Sequence, residues 1–208
     1  FYTCVTFNNA LFIPLPLVMI FIGESGVPFV ILFSVVQLLL LASLGSLMGS
    51  AFGKRQADLK QIAKKTIVFP PLIAAILAIG LAFFGFALPE AAASVLSFSG
   101  PLTTYLSLVA VGLGVGIDSP TRDLRSALEI VAIRQIIVPL ITLPILILCN
   151  LSAVAFQVIL IEVMMPPAML TVVYAGWFGL NSGKAATIVT VGTLLLLPEI
   201  PLMLLLTN

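Results

Sequence analysis

The sequence contains no histidine and has two cysteines, Cys4 and Cys149. This excludes haem ligation by His, metal sites built from His or several Cys, and nucleophilic triads that need an imidazole base. No catalytic constellation stands in their place, so the expectation is a non-enzymatic protein without a resident cofactor or metal. The two thiols read as small apolar side chains rather than a disulfide. Charge is scarce as well: Asp, Glu, Lys and Arg make up 8% of the chain, where a soluble domain has about 25%. Nine basic residues against eight acidic ones leave a net charge of +1. That excludes an electrostatic nucleic-acid binder and a polybasic membrane-surface protein.

What fills the space is apolar. Hydrophobic residues account for 61% of the chain, against about 45–50% in soluble proteins, which places it in a lipid bilayer. A helical crossing takes about 20 apolar residues, so 208 residues allow about seven crossings and no soluble domain. Apolar runs and their breaks mark these as residues 1–22, 27–51, 67–87, 95–117, 126–149, 153–178 and 184–206. All the connections are short except a basic linker from Lys54 to Lys65. Phe1 is not an initiator Met, and the expectation is a fragment of a longer chain.

Positive charge fixes an expected orientation, because Lys and Arg in short loops stay cytoplasmic. Lys54, Arg55, Lys60, Lys64 and Lys65 fall between the second and third crossings, Arg122 and Arg125 between the fourth and fifth, and Lys184 after the sixth. Arg134 lies about two turns into the fifth crossing, near enough to the same side to snorkel to the interface. Together they put residue 1 at the cytoplasm and Asn208 outside, in a cell membrane. A seven-helix retinal protein runs the other way and needs a mid-helix Lys in its last crossing, where none stands.

Prolines inside two apolar runs carry the functional signal. Pro14 and Pro16 lie near the middle of the first crossing, and Pro166 and Pro167 lie in the sixth, preceded by Glu162 and followed by Thr171. Each proline removes a backbone donor and clashes with the preceding turn. In hydrocarbon the freed groups need partners, and broken helices are tolerated where they line a cavity or are buried in protein. The two interrupted spans are five apart, hence antiparallel, and each leads through a Gly-containing turn (Gly23 to Gly26; Gly179 to Gly183) into a helix with four consecutive leucines (Leu38 to Leu41; Leu194 to Leu197). That is the arrangement of an inverted repeat with a five-helix unit, and it numbers this chain's spans four to ten of ten.

These residues resemble the auxin efflux carrier family, permeases related in fold to bile-acid/sodium symporters. Asn9, Phe12 and Pro16 fall where the family has Asn-x-Gly-Phe-x-Gly-x-Pro, with Leu11 and Pro14 replacing the glycines. Phe21-Ile22-Gly23-Glu24-Ser25-Gly26 is similar to its Phe-Gly-Glu-x-Gly turn, Pro70-Pro71-Leu72-Ile73-Ala74 to the start of its sixth helix, and Met165-Pro166-Pro167-Ala168 to its Met-Pro-x-Ala motif. An Asn that often follows that motif is absent here; Met169 and Leu170 hold its place. The resemblance implies an all-α membrane carrier of elevator type, its broken helices crossing beside the substrate, and a homodimer when full length. In that division residues 1–51 close the first repeat, 52–66 form the cytoplasmic linker, 67–117 the scaffold helices and 118–208 the transport core of the second repeat.

The expected substrate is a small organic anion, a dicarboxylate or an auxin-like acid, held near Asn9, Pro14, Pro16, Pro166, Pro167 and Thr171. The side-chain amide of Asn9 is suited either to a ligand carboxylate or to carbonyls freed by proline, and Asn8 to the latter. Glu162, an intramembrane carboxylate, is the candidate for H+ or Na+ coupling, with a carboxyl hydrogen-bonded to nearby carbonyls as the structural alternative. Glu199, between Pro198 and Pro201, is a weaker candidate. Ser34 and Gln37 read as interhelical hydrogen-bonding groups, and Gly112, Gly114 and Gly116 as packing glycines rather than a nucleotide loop. The competing reading is a non-transporting truncated membrane protein or interaction subunit; a channel is disfavoured because no ring of repeated polar residues is visible.

Overall fold

The computed structural model describes residues 2–53, 60, 64, 67–68, 70–114 and 124–207. Most of the basic linker, Gly116, the turn at 118–121 and Arg122 lie outside the described residues. Among the described residues the chain is helical, with no strand. In chain order the helices are α1 (Tyr2–Thr6), α2 (Pro14–Phe21), α3 (Val27–Leu40), α4 (Ser46–Phe52), α5 (Pro70–Phe83), α6 (Glu90–Gly114), α7 (Leu124–Ala132), α8 (Val138–Leu148), α9 (Ala153–Val163), α10 (Leu170–Trp177) and α11 (Ser182–Thr207). A π-helical turn, Leu41–Gly45, joins α3 to α4, and another, Ile133–Ile137, joins α7 to α8.

Among the described residues three helical stretches are long and apolar enough to cross a membrane: Glu24–Phe52, Leu124–Leu148 and Ser182–Leu205. Pro198 and Pro201 sit inside the last of these without ending it. The first and sixth apolar runs, by contrast, are each two short helices. Helix stops at Thr6 and resumes at Pro14; it stops again at Val163 and resumes at Leu170. Pro14 opens α2, where a missing N–H costs nothing, whereas Pro166 and Pro167 lie within the non-helical segment itself. The turns that follow depend on left-handed backbone, with Gly23 at φ 89° after α2 and Gly179 at φ 66° after α10.

Packing draws these pieces together around the interruptions. Val18 of α2, Val30 of α3, Val158 and Ile161 of α9, Met165, and Leu196 and Met203 of α11 form one apolar cluster. Cys4 of α1 packs with Ala127, Ile130 and Val131 of α7 and with Ala175, Ala185 and Ile188. Phe7, Leu41, Ala168, Tyr174 and Phe178 form a third cluster beside the gaps. The outward surface is the reverse of a soluble protein's: Phe84 is 84% and Leu205 78% exposed, as expected where the solvent is hydrocarbon.

Candidate functional site

The two non-helical segments cross and pair. Asn9 N–H donates to the Pro166 carbonyl at 2.8 Å, and Ala168 N–H donates to the Phe7 carbonyl at 2.9 Å, forming an antiparallel bridge between Asn8 and Pro167. Backbone groups that the helix breaks leave open are thereby satisfied away from water, as an apolar surrounding demands. The segment just before α2 and the segment just before α10 meet at this point. Both helices therefore direct the positive ends of their dipoles towards the crossing.

A cavity of about 340 Å³ opens on one side of the crossing. Asn8, Asn9, Ala10, Leu11 and Phe12 line it from the first interruption, and Ala168, Met169 and Leu170 from the second. The remaining wall is α3, through Ser34, Gln37 and their apolar neighbours, and α5, through Ala74 and Ala78. Asn9 Oδ1 accepts from Phe12 N–H at 3.1 Å. Gln37 Nε2 donates to the Asn8 carbonyl and so ties α3 to the crossing. Among the described residues no Lys, Arg, Asp or Glu lines the cavity.

A second polar group is packed inside the fold. Glu162, at the end of α9, is 0% exposed. Asn8 Nδ2 donates both to its carbonyl, at 2.9 Å, and to its Oε2, at 3.1 Å. Arg134 is 4% exposed, which corrects the expectation that it snorkels to the interface. The reason is local geometry: Ala127, Ile130 and Val131 form the inward stripe of α7, and the π turn continues that stripe through Arg134 and Gln135 together. Gln135 Nε2 donates to the Gly192 carbonyl and to Glu199 Oε2, each at 3.2 Å.

Among the residues expected at the site, Asn9 lines the cavity and Pro166 and Pro167 supply the backbone pairing. Pro14 and Pro16 are buried in the first turn of α2, outside the cavity wall. Thr171 is also outside the wall and 0% exposed; its hydroxyl donates to the Ala168 carbonyl at 2.6 Å and accepts from Cys4 Sγ at 3.5 Å. Glu162 is not part of the cavity wall; it is fully buried and held by Asn8. Two wall residues, Ser34 and Gln37, read from sequence as interhelical groups, and their spacing of three on one helix face was the available signal for a shared surface.

The sequence model of a family described as membrane transport protein matches residues 1–204. The chain belongs to that family, the auxin efflux carrier type of membrane transporter. It is 28% identical to an uncharacterized transporter of Methanocaldococcus jannaschii, over 89% of this chain and 61% of the relative. With an uncharacterized transporter of Methanothermobacter thermautotrophicus the identity is 26%, over 93% of this chain and 63% of the relative. The chain thus spans somewhat under two thirds of the length of these curated relatives. No solved structure matches it significantly. Membership in a membrane transport family agrees with the apolar helices and with a membrane location.

Proposed function

We propose that this member of the membrane transport family is part of a secondary carrier for a small organic anion, with the cavity beside the crossing as its substrate site. The observation that carries the reading is the convergence of both interrupted helices on one cavity. A carboxylate there would meet the N-terminal ends of α2 and α10 and the side-chain amide of Asn9 as donor. Apart from Asn8, Ser34 and Gln37 the rest of the described wall is apolar, from Phe12, Leu38, Leu41 and Met169 among others. This chemistry favours a monocarboxylate with an apolar body, of the auxin-like kind, over a dicarboxylate, whose second charge would have no counter-charge in the wall.

The paired interruptions also favour an inverted repeat in which the short helices combine into crossings, giving seven in this chain, with residue 1 cytoplasmic. The cavity has α5 on one side and the crossing on the other. In an elevator mechanism the crossing, with α3 and α7 to α11, moves the bound anion past α5 and α6 in a homodimeric full-length protein. Saturable uptake of an aromatic or aliphatic monocarboxylate by full-length protein in liposomes tests this. Asn9→Ala should raise KM and Pro167→Ala should lower the maximal rate; unchanged kinetics in both would exclude the crossing as the site.

A further inference from the structure

One side chain, Asn8, joins a fully buried acid to the cavity. Glu162 is 0% exposed and is not part of the cavity wall, whereas Asn8 is. Glu162 Oε2 accepts from Asn8 Nδ2 at 3.1 Å, and Glu162 Oε1 has no hydrogen-bond partner among the described residues. Asn8 Nδ2 also donates to the Glu162 carbonyl at 2.9 Å, so both amide hydrogens are spent on this one residue. Among the described residues no cation is in ion-pair contact with Glu162. Its helix, α9, packs chiefly against α2, α3, α8, α11 and the short turn Glu24–Gly26. The first three contain no ionisable side chain, and neither does the first interruption. The turn brings Glu24, which is exposed, and α11 brings Lys184 in its first turn and Glu199, which accepts from Gln135. Arg134 is buried on the π turn before α8 and makes no ion pair with Glu162.

We infer that Glu162 is carried as a neutral carboxylic acid, and that its proton is what admits an anion to the cavity on the other side of Asn8. An ionised carboxyl that is shut off from water, has no cation in contact and leaves one oxygen without a partner is the costlier form. A carboxylate ligand in the cavity would set a second negative charge across Asn8, and two carboxylates sharing an apolar site do not both stay ionised. The proton on Glu162 and the anion in the cavity therefore favour one another. Asn8 cannot offset the second charge, because its amide hydrogens already belong to Glu162. Glu162 is thus a positioning residue, acting on the ligand through Asn8 without touching it. The inference rests on the proposed anion site and adds a proton requirement to it.

Measurements on the full-length protein test this. At neutral pH the infrared difference spectrum of wild type minus Glu162→Gln should contain the C=O band of a protonated carboxyl. Glu162→Gln is a neutral replacement that keeps an acceptor for Asn8, and it should melt within about 3 °C of wild type. The uptake probe is phenylacetate, in liposomes held at the same pH inside and out. Its wild-type KM for saturable uptake should rise about tenfold between about pH 6 and about pH 9, as Glu162 gives up its proton. The KM of Glu162→Gln should not change with pH. A missing carboxyl band, a Glu162→Gln protein that does not fold, or a wild-type KM no more pH-dependent than the variant's overturns the inference. The first two readouts need no transport, so this inference and the transport reading fail separately.

Discussion

Asn8 reaches across the crossing to hold Glu162 twice, its Nδ2 lying 2.9 Å from the Glu162 carbonyl and 3.1 Å from Oε2. That carbonyl lies four residues before Pro166, which has no N–H to give it, and it accepts from Met165 N–H at 3.2 Å as well as from Asn8. One amide therefore serves both the broken backbone and the buried carboxylate. Asn8→Ala removes two hydrogen bonds at once, one of them to an acid, at a position 2% exposed. A loss of about 2–3 kcal/mol is expected, and Asn8→Asp should cost more because it sets a second carboxyl against Glu162. Thermal unfolding in detergent checks the order: wild type, then Asn8→Ala, then Asn8→Asp. An Asp variant as stable as wild type would show that Glu162 does not need the amide.

Gly192 sets how closely α11 approaches the second interruption. A Cβ there would lie 2.9 Å from Pro167 Cδ, 3.2 Å from Pro166 Cβ and 3.1 Å from Gln135 Oε1. Proline rings cannot swing aside as a long side chain can, so Gly192→Ala must push α11 away from the crossing. The expected cost is about 1–3 kcal/mol, and transport should fall further than stability, because the displaced backbone is the pairing segment. Gly183→Ala, whose Cβ would meet Asn181 Oδ1 at an ordinary 3.5 Å, is the control and should change little.

The crossing itself was partly legible in the sequence. Prolines at 14, 16, 166 and 167 were the ground for expecting two interruptions; Pro166 and Pro167 lie in a non-helical segment, whereas Pro14 and Pro16 lie in the first turn of α2, after the gap that begins at Phe7. Which atoms would answer the freed groups was not legible, since the partner of each segment lies more than 150 residues away. Thr171 looked available as a polar residue beside a break, but its hydroxyl is spent on Ala168 in its own turn. Arg134 was misplaced for a related reason. Counting turns from a helix end gives depth but not facing, and the stripe Ala127, Ile130, Val131 was the better guide.

Gln37 gives a test of whether the cavity is the route of the substrate. Its Nε2 donates to the Asn8 carbonyl, and the side chain forms part of the cavity wall. Gln37→Leu preserves size but removes the tether and one polar wall group. Because the residue is half-buried, the stability loss should stay near 1 kcal/mol, while KM for a monocarboxylate should rise severalfold. Measuring uptake kinetics and Tm on the same preparations separates the two effects. A normal KM with a lowered Tm would make Gln37 a tether alone.

Ala74 and Ala78 stand one turn apart on α5 and line the same cavity as Asn9 and Met169. Both present small side chains where a larger one would occupy part of a space of about 340 Å³. A Phe at residue 78 adds a ring that fills the cavity rather than straining a packed core, so the substitution should leave Tm within about 1 kcal/mol of wild type. Uptake should nevertheless be abolished, since the anion's place is taken. Ala78→Gly, which enlarges the same space, should leave uptake measurable and favour bulkier acids. The contrast is informative because both variants alter one residue on one helix. Full uptake by Ala78→Phe, with an unchanged preference among acids of different size, would move the transport path away from this cavity.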